Sequence, residues 1–274
     1  MTKLVPASWL DPVEPGLVWS PEIQAATSLM HAVPTEQLGK PTQEQFYSRA
    51  FKEWNIFLDA LESSAFNFRK AGAALEIGCG SARLIRMLRC VRGMRLVGVD
   101  INPDCVAWCK QNVPGVEFYS NRSRPPLENL LDGSFDLVIA YSVFTHISAE
   151  LQLPWLMEVR RVMRPGGIFL CTMVGHNHQN QQLGVKERQQ LETEGSVVLN
   201  PGDSGLSYSS QVRGLCDIFQ SRHKVIENFS RVFSIVDFHP GEEINMGQDL
   251  LVLRKPAEVS STPSALYREA ASNQ

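Results

Sequence analysis

The residues best suited to chemistry lie in a few short stretches. One is Glu76-Ile77-Gly78-Cys79-Gly80-Ser81-Ala82-Arg83. Its glycines let the backbone turn sharply and admit a ligand where a β-carbon would stand in the way. Glu76, two residues before the first glycine, favours a cationic ligand group over a pyrophosphate. A second stretch is Gly98-Val99-Asp100, with the carboxylate twenty residues after Gly80. There it can accept hydrogen bonds from both hydroxyls of a ribose and would repel a 2′-phosphate. Helix capping is the competing role, but Asn102, just before Pro103, is better placed for that. His146 is the candidate general base, since a neutral imidazole can take a hydroxyl proton. Its competing roles are capping the next helix and packing against a ligand. His176 and His178 form an i, i+2 pair without a third ligand, so no metal site is assigned.

Short apolar runs alternate with helical patterns, and this order is what must position those residues. Strands are expected at Ala74–Ile77, Leu96–Val99, Val116–Tyr119, Phe135–Ala140 and Gly167–Met173. Helices are expected at Ser81–Cys90, Pro103–Asn112 and Ala149–Met163. Phe233–Phe238 and Asp249–Leu253 read as strands with no room for a helix between them, hence an antiparallel hairpin at one edge. Such alternation predicts an α/β fold with a mostly parallel sheet covered on both faces, and ligands at the carboxyl ends of its strands. Ahead of it, Phe46, Ala50, Trp54, Phe57, Leu58 and Leu61 form the apolar stripe of a helix over 43–63.

Three further zones complete the layout. Residues 1–42 are rich in proline and carry Trp9 and Trp19. They read as an N-terminal arm, either lying across the surface or forming a lid or homodimer contact. The domain proper spans 43–255, with 175–230 as an insertion that roofs the acceptor pocket. Residues 256–274 read as a frayed tail. The chain has 274 residues, 43% hydrophobic, with a formal net charge of −3. Nothing global draws it to nucleic acid, and no apolar run is long enough to span a membrane. Six cysteines without a C-x-x-C pair suit reduced thiols, and a cytoplasmic location is expected.

A dinucleotide fingerprint would place another glycine where Arg83 stands, and no Lys-Ser/Thr follows to grip a phosphate. Instead, Leu75 to Arg83, then Gly98 to Asn102, then Leu131 to Ala140, then Arg160 to Leu170 resemble the successive motifs of class I S-adenosylmethionine-dependent methyltransferases. Ser142 to His146 (Ser-Val-Phe-Thr-His) and Gly247 to Leu253 add a resemblance to a bacterial subgroup of that family. The resemblance implies a Rossmann-like, seven-stranded sheet with a reversed last strand, and S-adenosyl-L-methionine as cofactor. It implies that Glu76 anchors the methionine end and that Gly78, Cys79 and Gly80 pass beneath the cofactor. Asp100 then holds the ribose, Ile101 packs on adenine and Asn121 meets the adenine amino group. Tyr141 and Ser142 hold the methionine portion. The family's third glycine is Ala82 here, acceptable in a residue that is already helical.

The function so implied is methyl transfer to a small-molecule or sugar/glycan acceptor, on oxygen, in a biosynthetic setting. An N-methyltransferase and a non-catalytic cofactor-binding module are the alternatives, while Glu76 and Arg83 argue against a nicotinamide oxidoreductase. Replacing Asp100 by alanine is expected to cost cofactor affinity and leave stability almost unchanged.

Overall fold

The computed structural model describes residues 43–199 and 215–257. The N-terminal arm, residues 200–214 of the insertion and the tail beyond residue 257 lie outside the described residues. The elements in chain order are α1 (Gln43–Ser63), β1 (Ala73–Ile77), a 3₁₀ helix (Ile85–Cys90), β2 (Arg95–Asp100), α2 (Pro103–Asn112), β3 (Glu117–Ser120) and β4 (Phe135–Ala140). A second 3₁₀ turn (Phe144–His146), α3 (Ala149–Val162), β5 (Met163–Val174), α4 (His176–Gln182) and α5 (Val185–Glu194) follow. The chain closes with β6 (Ser196–Leu199), β7 (Asp217–Gln220), α6 (Arg222–Ser230), β8 (Ser234–His239) and β9 (Gln248–Arg254).

Seven strands form one sheet in the order β3-β2-β1-β4-β5-β9-β8. The first five are parallel; β9 runs antiparallel to both β5 and β8, which is the expected edge hairpin. Strand order reverses beside β1, so the ends of β1, β2 and β4 open onto one crevice.

Side-chain alternation along the strands divides the core in two. Leu75, Ile77, Val97, Val99, Val138 and Ala140 face α3 and α6. Ala74, Leu96, Leu137 and Ile139 face α1, α2 and the first 3₁₀ helix, where Trp54, Phe57, Leu61, Leu84, Ile85 and Leu88 pack. Period two therefore puts Glu76, with Ala74, on the α1 side of β1.

Two expectations need correction. Residues 81–84 form turns rather than the start of a helix, and only Ile85–Cys90 winds, as a 3₁₀ helix. The reason is competition for the backbone groups of that turn. The Ile85 N–H donates to Glu76 Oε2 at 2.8 Å. The Ser81 carbonyl, its α-helical partner, accepts from Arg86 Nη2 at 2.6 Å instead, and Ala82 O accepts from Arg86 Nε at 2.7 Å. Ala82 consequently is not helical but left-handed, with φ at +57°. The described part of the insertion is also more ordered than a loop. It holds α4, α5 and the antiparallel pair β6–β7, around a small cluster of Leu183, Val197 and Phe219. Helix α6, within 175–230, packs on the main sheet through Val225 and Phe229.

Candidate functional site

The turn after β1 is shaped for close approach. Gly78 has φ +67°, and a Cβ there would lie 2.5 Å from Val143 Cγ2. Gly80 is also left-handed at +49°. Cys79 N donates to Val99 O at 3.0 Å, stitching this turn to the end of β2. Burial pushes the Cys79 thiol far up, so it is a packing group rather than a nucleophile.

Asp100, 4% exposed, is tied into that turn. Its Oδ2 accepts from Gly80 N at 2.7 Å and its Oδ1 from Asn102 N at 2.8 Å. Burial raises its carboxyl above the usual range, against these backbone donors. Asn102 does cap α2, accepting from Asp104 N at 2.9 Å. The carboxylate is thus also a structural clamp. Removing it would strand two buried N–H groups, which overturns the expectation that stability is indifferent to Asp100→Ala.

Glu76 lies fully buried beneath the turn. Desolvation, opposed by the Ile85 N–H and by the charges of Arg83 and Arg86, lifts its carboxyl to about 8. In the ligand-free protein it is therefore mostly a neutral acid at pH 7, and an incoming cation would favour its ionised form further.

At the end of β4, tertiary structure adds a residue that sequence spacing did not indicate. Glu53 of α1 accepts from the Tyr141 hydroxyl at 2.9 Å and pairs with Arg83. The Arg83 guanidinium lies 5.3 Å from the centre of the Tyr141 ring. The only sequence trace of Glu53 is its place next to Trp54 on the buried stripe of α1.

Ser142 has φ +57° and is held in a ring of three hydrogen bonds. Its N–H donates to Thr172 Oγ1 at 2.8 Å, Thr172 Oγ1 donates to Gln248 Oε1 at 2.6 Å, and Gln248 Nε2 donates to Ser142 Oγ at 2.8 Å. Gln248, the first residue of β9, thereby gains a physical role: it fixes the turn after β4.

Beyond β2 and β3, a cleft is lined by Val99, Tyr119, Asn121, Pro126 and Leu130, among others. Ile101 is half-buried at the end of β2. Asn121 N donates to Asp100 O at 3.0 Å, and its side-chain Nδ2 donates to Arg122 O at 2.8 Å. Its Oδ1 is buried and meets no hydrogen-bond partner among the described residues. Arg122 is turned outward to Glu128.

His146 ends the 3₁₀ turn that follows Ser142. Its Nδ1 lies 3.1 Å from Asp217 Oδ1 and 3.3 Å from Cys216 O, both at the start of β7. His176 opens α4 and is exposed, while the side chain of His178 lies outside the described residues. The structure therefore ties the ends of β1, β2 and β3 together through hydrogen bonds of Cys79, Gly80, Asp100 and Asn121, with Glu76 and Gly78 at the same end of β1. Tyr141, Ser142 and His146 sit on the adjoining β4 end.

With this geometry in view, residues 75–171 match the family model described as "Methyltransferase domain". Two proteins of Mycolicibacterium smegmatis are similar across it. One, named "Probable S-adenosylmethionine-dependent methyltransferase", is 33% identical over 99 residues, covering 36% of this chain and 36% of that protein. A fatty-acid O-methyltransferase is 34% identical over 102 residues, covering 36% of this chain and 35% of its own length. The match thus spans about a third of each of these relatives. The fold of the PH0226 protein of Pyrococcus horikoshii OT3 superposes with a TM-score of 0.53 at 19% identity, over 81% of this chain and 97% of that one. The chain accordingly has the expected Rossmann-like α/β architecture, seven strands with a reversed last strand.

Proposed function

We propose that this chain is an S-adenosyl-L-methionine-dependent methyltransferase that methylates a small-molecule or sugar/glycan acceptor on oxygen. The observation that carries the reading is the row of ligand-ready groups along the ends of β1, β2 and β3. Gly78 makes a left-handed turn packed against Val143, Asp100 follows at β2, and Asn121 Oδ1 is buried without a hydrogen-bond partner among the described residues. A carboxylate offers about four lone-pair sites, so the backbone donors to Asp100 do not exhaust it, and ribose hydroxyls suit what remains. Asn121 Oδ1 suits an amino group such as that of adenine. Glu76 beneath the turn suits the cationic amino-acid end.

Bound S-adenosylmethionine supplies an electrophilic methyl group: the acceptor oxygen bonds to its carbon as the carbon–sulfur bond breaks, leaving that electron pair on sulfur. The chain's own task is alignment, exclusion of water and disposal of the acceptor proton. His146, beside the Ser142 turn, takes that proton on its ring. The O-methylating M. smegmatis relative supports oxygen over nitrogen. The reading also places the protein in the cytoplasm, and none of the described helices is long and apolar enough to cross a membrane.

Calorimetric titration tests the cofactor assignment. S-adenosylmethionine and S-adenosylhomocysteine should both bind, NAD should not, and Asn121→Ala should weaken binding about fivefold, the worth of roughly one hydrogen bond. A chain that binds neither S-adenosyl compound, or binds NAD instead, refutes the reading. Incubation with methyl-labelled cofactor and acceptor panels then separates an enzyme from a cofactor-binding module.

A further inference from the structure

We propose that Asp217 is the positioning residue of His146: it holds the imidazole in the tautomer protonated on Nδ1, which leaves Nε2 as the basic nitrogen. The proposal deepens the reading of His146 as proton acceptor, and its consequence for catalysis rests on that reading. Its structural basis is independent. Nδ1 faces two groups, Asp217 Oδ1 at 3.1 Å and Cys216 O at 3.3 Å. A carboxylate and a backbone carbonyl can only accept. A neutral imidazole has one donor nitrogen and one acceptor nitrogen, so the nitrogen between two acceptors must carry the proton. In water a free histidine side chain favours the opposite tautomer, so the protein has to supply this preference.

The arrangement is built from backbone outward rather than left to a loose surface pair. Cys216 N donates to His146 O at 3.1 Å, and Ile147 forms an isolated antiparallel bridge with Leu215. These contacts lay the entry of β7 along the 3₁₀ turn, and Asp217 is the first residue of β7. At the far end of that strand, Gln152 Nε2 of α3 donates to Gln220 Oε1 at 2.9 Å. Both side chains of the pair are 23% exposed, so their attraction is less screened than that of a surface pair. The neighbouring titratable group is the Cys216 thiol, raised to about 11 by burial and by the charges of Asp217 and of Glu150 on α3. The thiol therefore stays mostly neutral at about pH 8.5. The pair spans 71 residues, from the end of β4 to the inserted sheet. The insertion therefore contributes a residue to the site. Once Nε2 has taken a proton, Asp217 balances the imidazolium through the Nδ1 proton it already holds.

Long-range ¹H–¹⁵N spectra of histidine-labelled protein at about pH 8.5, above the ordinary imidazole range, read the tautomer directly, with His146→Gln assigning the resonance. The wild type should show a protonated Nδ1 and a bare Nε2. Asp217→Ala should move a large share of the signal to the opposite pattern, while the protein keeps its fold. A wild-type ring protonated on Nε2 overturns the proposal outright. An unchanged pattern in Asp217→Ala overturns it too, because the Cys216 carbonyl would then suffice. Should that variant fail to fold, Asp217→Ser reports the same nitrogen, and the wild-type spectrum stands alone as a test. Calorimetry with S-adenosylhomocysteine on the same samples keeps the two readings apart. Absent binding in the wild type would sink the methyltransferase reading and leave the tautomer result in place.

Discussion

Replacing Glu76 by glutamine should stabilise the ligand-free protein, and by an amount that grows with pH. The carboxyl titrates near 4.5 when unfolded and near 8 when buried beneath the glycine turn, with desolvation the largest cause. Between those values the folded state holds a proton that the unfolded state has released. Stability therefore falls as pH rises through this window, by about 1.4 kcal/mol per unit. Contributions from the group are fully present below pH 4.5 and lost by pH 8. At pH 7 the accumulated loss is about 3 kcal/mol. Glutamine carries no such charge, and its carbonyl can still accept the Ile85 N–H that Glu76 Oε2 accepts now. Glu76→Gln should thus match the wild type near pH 4.5 and exceed it by up to about 3 kcal/mol at pH 7, or roughly 6–12 °C in melting temperature. Urea denaturation and thermal melts of both proteins across that range, without ligand, make the comparison. A gap that does not change with pH, or a variant less stable at pH 7, would refute the account of Glu76 as a buried neutral acid.

The other tests are more local. Asp100→Ala should lose about 2–4 kcal/mol of stability, since the N–H groups of Gly80 and Asn102 lose their acceptor. Asp100→Asn should keep most of the fold and bind S-adenosylhomocysteine at least tenfold more weakly; calorimetry reading equal affinity would remove Asp100 from the ribose site. His146→Ala should lower turnover about a hundredfold with cofactor affinity retained, and an affinity that falls in step with rate would make the ring a wall of the cofactor pocket instead. Gln248→Ala should cost about 1–3 kcal/mol in denaturant unfolding, because Thr172 is left buried with one partner fewer; an unaltered midpoint would mean that the Ser142 turn holds itself.

Much of the scaffold was legible in the chain itself. Period-two and helical patterns gave α1, α2, β4 and the edge hairpin at or within a residue or two of their bounds. Those patterns are local records of which face is buried, so they survive in a one-dimensional string. The glycine turn and Asp100 were legible for a related reason. A sharp left-handed turn favours residues without a β-carbon at set positions, and the next strand end comes one crossover later.

What tertiary structure decided is where backbone and side-chain groups found partners far along the chain. The Ser81–Cys90 segment has a helix-forming composition, yet Glu76 and Arg86 capture the groups that an α-helix would have paired, and Ala82 is driven left-handed. Glu53 meets Tyr141 across 88 residues, and Gln248 meets Ser142 across 106. His146 and Asp217 likewise come together only when the inserted strand docks on the 3₁₀ turn. None of these pairs has a spacing that could have announced it. A hydrogen bond depends on distance in space, and distance along the chain constrains that only within a single turn, helix or hairpin; beyond those lengths, the order of strands in the sheet determines which side chains meet.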